Sequence, residues 1–95
     1  MNKQDIILKL QDIKPHLEKD YGITSIALFG SYSRNEQTPK SDIDIMVEHN
    51  SPLGFRFLDL MYELDNLFQK EVQVVSKKGI KSKYFEAIKQ DLIYV

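Results

Sequence analysis

Two aspartates separated by one residue, Asp42 and Asp44, follow a Gly30-Ser31 pair after a gap of ten residues. In a strand both carboxylates leave the same face, with Cα atoms about 6.5 Å apart. Carboxylates so placed repel each other unless a cation lies between them, and hard oxygen donors suit Mg²⁺. Such an ion completes its shell with water and substrate phosphates. Gly30 lets the backbone approach a phosphate closely, and Ser31 can offer its N–H and its hydroxyl. Held together, these groups would clamp a nucleoside triphosphate and support nucleotidyl transfer by metal-assisted in-line displacement. Arg34, just after the turn, is a further candidate phosphate contact and reads equally well as a surface arginine. An aspartate pair or a Gly-Ser alone says little; their combination across two apolar strands carries the chemistry.

The rest of the chain must position that constellation. Residues 2 to about 20 predict a helix, with Asn2 as cap, Asp5 in the first turn, and Ile6, Leu10, Ile13 and Leu17 on one face. Pro15 inside it predicts a kink or a restart, and Gly22 a stop. Residues 23–29 predict a buried strand running into Gly30, followed by a polar loop over 35–41. Residues 42–48 alternate acid with apolar and predict a second strand. A helix is expected over 53–69 through Phe57, Leu60, Met61, Leu64 and Phe68, and a strand over 71–76. A helix over 81–90 is expected to be buried through Tyr84, Phe85 and Ile88, and 92–95 to close the sheet. The expected fold is α/β or α+β, a small mixed sheet with helices packed on it, in one domain spanning 1–95.

Composition narrows the function classes. With 42% hydrophobic and 28% charged residues in 95, one modest core is affordable. No apolar run approaches the ~20 residues of a membrane span, and the polar start predicts no signal peptide, hence a cytoplasmic protein. Zero cysteines exclude disulfides, a zinc ribbon and a thiol nucleophile. Thirteen basic against fourteen acidic residues argue against extensive nucleic-acid binding. Five lysines after Ser76 against Glu86 and Asp91 give that segment +3, leaving −4 on the rest. A solvated face explains it, and so would an anion-binding patch. His16 and His49 are far apart without acids at ligand spacing and read as surface histidines. Neither supports a Ser-His-Asp triad.

The run Leu28-Phe29-Gly30-Ser31-Tyr32-Ser33-Arg34, followed by Thr38-Pro39-Lys40-Ser41-Asp42-Ile43-Asp44-Ile45, resembles the minimal nucleotidyltransferase family of the DNA polymerase β-like superfamily. The resemblance extends to Tyr21-Gly22, the Phe57–Phe68 segment and Ile93-Tyr94-Val95. It implies a palm-like sheet, phosphate binding by Gly30 and Ser31, and Mg²⁺ ligation by Asp42 and Asp44 with ATP or another nucleoside triphosphate as substrate. It also implies a small helical HEPN-type toxin as partner, within a homo- or hetero-oligomer. In such pairs the nucleotidyltransferase is the antitoxin, and some members transfer AMP onto a tyrosine of the toxin.

The chain departs from this pattern in one place. A third carboxylate is expected on a later strand, where Val72-Gln73-Val74-Val75 places Gln73. A glutamine offers a carbonyl oxygen but no charge and no base. Glu71 and Glu48 share the face of the aspartates but could substitute only after a shift in register. Three functions follow: an adenylylating antitoxin, an antitoxin weakened by Gln73 that acts by contact alone, and a small-molecule or antibiotic nucleotidyltransferase. The short chain disfavours the last, because it leaves little structure for an acceptor pocket. It predicts instead that the acceptor arrives on another molecule.

Overall fold

The computed structural model describes residues 1–95. Helix α1 (Lys3–Tyr21) starts in a reciprocal cap: Asp5 N–H donates to Asn2 Oδ1 at 2.9 Å, and Asn2 N–H to Asp5 Oδ2 at 3.0 Å. It ends at Gly22, whose φ of 66° lets its N–H return to the carbonyls of Leu17 and Glu18. The restart expected at Pro15 is not found: the helix runs without a break from Lys3 to Tyr21. Pro15 and Gln11 both face solvent, so water can satisfy the Gln11 carbonyl that the proline leaves without a donor.

Strands β1 (Ile23–Phe29) and β2 (Ile43–His49) pair antiparallel, joined by the loop that carries Gly30 and Ser31. Helix α2 (Arg56–Phe68) then crosses to β3 (Val72–Ser76), which lies parallel to β2. After a 3₁₀ turn at Lys77–Gly79 come α3 (Ser82–Ile88), a second 3₁₀ turn at Lys89–Asp91, and β4 (Ile93–Tyr94), antiparallel to β1. The sheet order is β3-β2-β1-β4, a mixed four-stranded α+β arrangement. Element order agrees with the sequence expectation, and most ends move by one to three residues. Asp42 falls just before β2 because the ladder starts at Ile43, whose N–H donates to Glu71 O at 3.2 Å. α2 starts later than residue 53 because Gly54 takes φ 57°, outside helical space.

Strand alternation divides the sheet into two faces. Ile26 and Leu28 of β1, Ile43, Ile45 and Val47 of β2, and Val72 and Val74 of β3 share the main core with α1 and α2. Ile6, Leu10, Leu17, Leu60 and Leu64 are fully buried there. The opposite face is covered only in part: Phe29, Met46 and Ile88 form a small cluster with Val75, Ile80, Phe85 and Leu92. Tyr84, expected to be buried, is 44% exposed. α3 is seven residues long and turns Ile88 onto the sheet, leaving Tyr84 at its margin.

A polar cluster braces α1 against α2. The Tyr21 hydroxyl donates to Glu63 Oε2, His16 Nε2 lies 2.7 Å from Glu63 Oε1, and the Arg56 guanidinium stacks 4.9 Å from the Tyr21 ring centre. Burial alone would raise the Glu63 pKa, but the Tyr21 hydroxyl and His16 outweigh it and hold the carboxyl below its usual value. A carboxyl depressed on folding stabilises the fold above its unfolded pKa, near 4.3, and loses that contribution as pH falls through the lower folded value. The thermal midpoint advantage of wild type over Glu63→Gln is therefore expected to shrink between about pH 6 and about pH 3. A gap that stays constant across that range would show that the ionised carboxylate contributes nothing.

Candidate functional site

The acidic residues lie at one end of the sheet, on the thinly covered face. β-Ladder register sets their neighbours: Asp44 stands opposite Phe29 on one side and Gln73 on the other. Paired residues in adjacent strands project to the same face, so Phe29, Asp44 and Gln73 form a row across it. Asp42 lies just before β2, near enough for its charge to act on Asp44, and Glu71 lies just before β3. The structure thus places Gln73 beside Asp44, where the resemblance expects a third carboxylate. Glu48 is excluded from the cluster, since it lies at the other end of β2, opposite Ser25, with Lys77 Nζ 3.6 Å away. No group of three or more Asp, Glu, His or Cys side chains gathers anywhere in a geometry that could hold a metal. The constellation at this edge is two carboxylates with an amide.

Gly30 has a reason that spacing alone did not reveal. Its φ is 78°, and a Cβ added there would lie 2.1 Å from Asp44 Oδ2. The Asp44 carboxyl occupies the space a side chain would fill, so Gly30 is required by the acid itself as well as by the turn. After it the chain makes one helical turn closed by Asn35, with φ 58°. Arg34 N–H donates to Gly30 O at 3.2 Å, Asn35 N–H to Tyr32 O at 3.3 Å, and Glu36 N–H to Ser31 O at 2.9 Å. The last two bonds, around a left-handed residue, make a Schellman-type ending. The amides of Ser31, Tyr32 and Ser33 take no part in the turn's own backbone bonds.

The turn is fastened to the far end of the chain. Ser33 Oγ donates to Asp91 O, and Arg34 Nη1 lies 2.7 Å from Asp91 Oδ2. Arg34 Nε is also 2.5 Å from Glu36 Oε1. Arg34 is therefore near the acidic pair but already paired twice, a role for Asp91 that sequence reading did not assign. The signal was faint: Asp91 lies 57 residues away in sequence. Electrostatics at the pair follow from burial. Partial burial, and then the charge on Asp42, raise the Asp44 pKa above the ordinary aspartate value, while Arg34 lowers it only partly. His16 and His49 stay outside: the first belongs to the Glu63 brace, and the second bonds Ser51 O and Ser76 Oγ.

The acidic edge is open. Four surface depressions indent the molecule, and neither aspartate lines any of them. Ligand pockets for small molecules are usually concave and enclose most of the ligand. Nothing of that kind surrounds Asp42 and Asp44.

Comparison with known proteins identifies the family and the fold. The nucleotidyltransferase domain family matches residues 10–95. The Methanocaldococcus jannaschii protein MJ0128, provisionally named a protein adenylyltransferase, is 46% identical over 94 residues, covering 97% of this chain and 93% of that protein. A solved structure provisionally described as a minimal nucleotidyltransferase superposes with a TM-score of 0.83 at 21% identity, over 98% of this chain and 95% of that one. A toxin–antitoxin crystal structure with AMP-PNP is similar at TM-score 0.65 and 28% identity, over 88% of this chain and 64% of that one. With the Gly-Ser turn and the aspartate pair brought to one edge of a matching sheet, the chain belongs to the nucleotidyltransferase domain family, beside relatives provisionally named protein adenylyltransferases.

Proposed function

We propose that this chain is the antitoxin of a toxin–antitoxin pair and transfers AMP from ATP to a hydroxyl of its partner, a small helical HEPN-type toxin. The observation that carries the reading is the open edge where Asp42 and Asp44 face the Gly30-Ser31 turn. An edge without a pocket suits an acceptor presented by another protein better than an antibiotic-sized molecule. The relative provisionally named a protein adenylyltransferase, and the similar toxin–antitoxin structure holding AMP-PNP, support acceptor and nucleotide respectively.

The donor set fits Mg²⁺. Two carboxylates, one with its pKa raised by burial and by the other, present hard oxygens, and Arg34 is committed to Glu36 and Asp91. Asp42 and Asp44 would hold the ion, and Gln73 could add its amide oxygen. When bound, Mg²⁺ neutralises triphosphate charge and stabilises the charge that develops during in-line displacement. The chain's own groups do the rest. The amides and hydroxyl after Gly30 hold phosphate oxygens, and the phosphate competes with Glu36 and Asp91 for Arg34. The acceptor oxygen bonds to the α-phosphorus as the bond from that phosphorus to the bridging oxygen breaks, and pyrophosphate leaves with the electron pair. The hydroxyl proton passes to water or to a group of the acceptor, because Gln73 beside Asp44 takes none.

Gln73 also favours a second reading, an antitoxin that neutralises by contact with little or no transfer. Mass spectrometry of the co-expressed pair separates the two. Added AMP on the partner is the expected result. An unmodified partner that is nonetheless neutralised would establish the contact-only antitoxin.

A further inference from the structure

Phe29 is the ladder partner of Asp44, and its ring is 3% exposed. On it stands Tyr84 of α3, edge to face, with ring centres 6.4 Å apart and planes at 88°. Tyr84 is thus one aromatic ring away from the acidic edge, on the same face of the sheet. Its side chain is 44% exposed, and the rest of α3's aromatic content is turned inward with Phe85. Packing of the core does not require an exposed tyrosine at this point, since Met46, Phe29 and Ile88 close that cluster without it. Of the lysines around it, Lys77 and Lys89 are paired with Glu48 and Glu86, whereas Lys81 and Lys83 form no ion pair.

We infer that Tyr84 is the wall against which the nucleoside of the bound triphosphate stacks, its ring held in place by Phe29. The inference rests on the reading of Asp42, Asp44 and the Gly30 turn as the triphosphate site. Base-on-aromatic stacking needs one free ring face, fixed in orientation, next to where the phosphates are held. The Phe29 contact fixes the orientation of the ring, and the half-exposed side chain leaves part of it accessible. Because every base has a π-face, such a wall separates nucleotides from bare polyphosphate while discriminating weakly among bases. Tyr84 is on this account a substrate-binding residue.

Equilibrium binding of ATP, GTP and inorganic tripolyphosphate with Mg²⁺, measured on the wild type and on Tyr84→Phe, Tyr84→Leu and Tyr84→Ala, tests it. The wild type is expected to prefer both nucleotides over tripolyphosphate. Tyr84→Phe should keep that preference, while Tyr84→Leu, which still covers Phe29, and Tyr84→Ala should lose roughly tenfold or more of nucleotide affinity. Tripolyphosphate affinity should stay level across the set, which also reports that the variants are folded. If Tyr84→Leu binds ATP as the wild type does, the stacking wall is wrong and the triphosphate site stands. A wild type that binds neither nucleotide nor tripolyphosphate overturns both.

Discussion

Asp44→Asn is expected to lower adenylyl transfer by roughly 10²- to 10³-fold, the scale seen when one electrostatic stabiliser of a transition state is removed, while leaving the protein at least as stable. Both halves come from the same contacts. The carboxyl packs over the Gly30 backbone between Phe29 and Gln73, and an asparagine of the same shape fills that space. What disappears is the charge, which burial and Asp42 both oppose. On the proposed function, the native acid is a site where folding stability is given up for chemistry. Initial rates of labelled AMP incorporation into the partner, with thermal midpoints on the same preparations without added metal, check this. Transfer within tenfold of the wild type would remove Asp44 from the chemistry. A midpoint lowered by several degrees would show that the ionised carboxylate stabilises the fold, against the opposition of burial and Asp42.

Gln73→Asp is expected to act in the opposite direction. Gln73 is exposed and directly beside Asp44 in a parallel ladder, so an aspartate there would join the pair without moving the backbone. A correctly placed base contributes about 10²- to 10⁴-fold to a proton-transfer step, and the gain in transfer should fall in that range. A third carboxylate also adds repulsion to a site where Asp44 is already opposed by burial and Asp42. Without divalent cation the variant should melt below the wild type, and millimolar-range Mg²⁺ should recover more of its midpoint than of the wild type's. If transfer is unchanged while Mg²⁺ restores stability, the ion binds and the glutamine is not what limits the rate. Glu71 enters the same comparison. It lies two residues earlier, just before β3, and Gln73→Asp combined with Glu71→Gln should transfer as Gln73→Asp does.

Much of this was legible in the sequence for specific reasons. The four-three-four spacing from Ile6 to Leu17 is a direct image of one-sided burial. The alternation that opens at Asp42 marks β2, whose Ile43, Ile45 and Val47 face the main core while Met46 is buried on the other side. The aspartate pair and the Gly-Ser turn stand out in the sequence by residue type, and the structure brings Gly30 and Asp44 into contact. The misses have physical causes too. Pro15 sits on the solvent side, where a lost hydrogen bond is replaced by water, and a proline's identity does not show which way it faces. Tyr84 reads as core in the sequence because its helix is too short for periodicity to separate one face from another. The double pairing of Arg34 and the contact of Asp44 with Gly30 are products of long-range register. Local patterns hold no trace of them.

The fit of Asp44 over Gly30 sets the order in which such a protein can decay. A lineage that no longer needs the chemistry can replace Asp44 first, since a similar-sized neutral residue leaves the turn and sheet undisturbed. Gly30 cannot change first, because any side chain collides with the acid and meets a φ of 78° that L-residues seldom adopt. Nor does losing Asp44 set Gly30 free, because that backbone conformation remains. Descendants that have become pure binding proteins should therefore keep the glycine as a fossil beside a vanished acid. A glycine without its aspartate would mark a chain that lost the acid while keeping the fold.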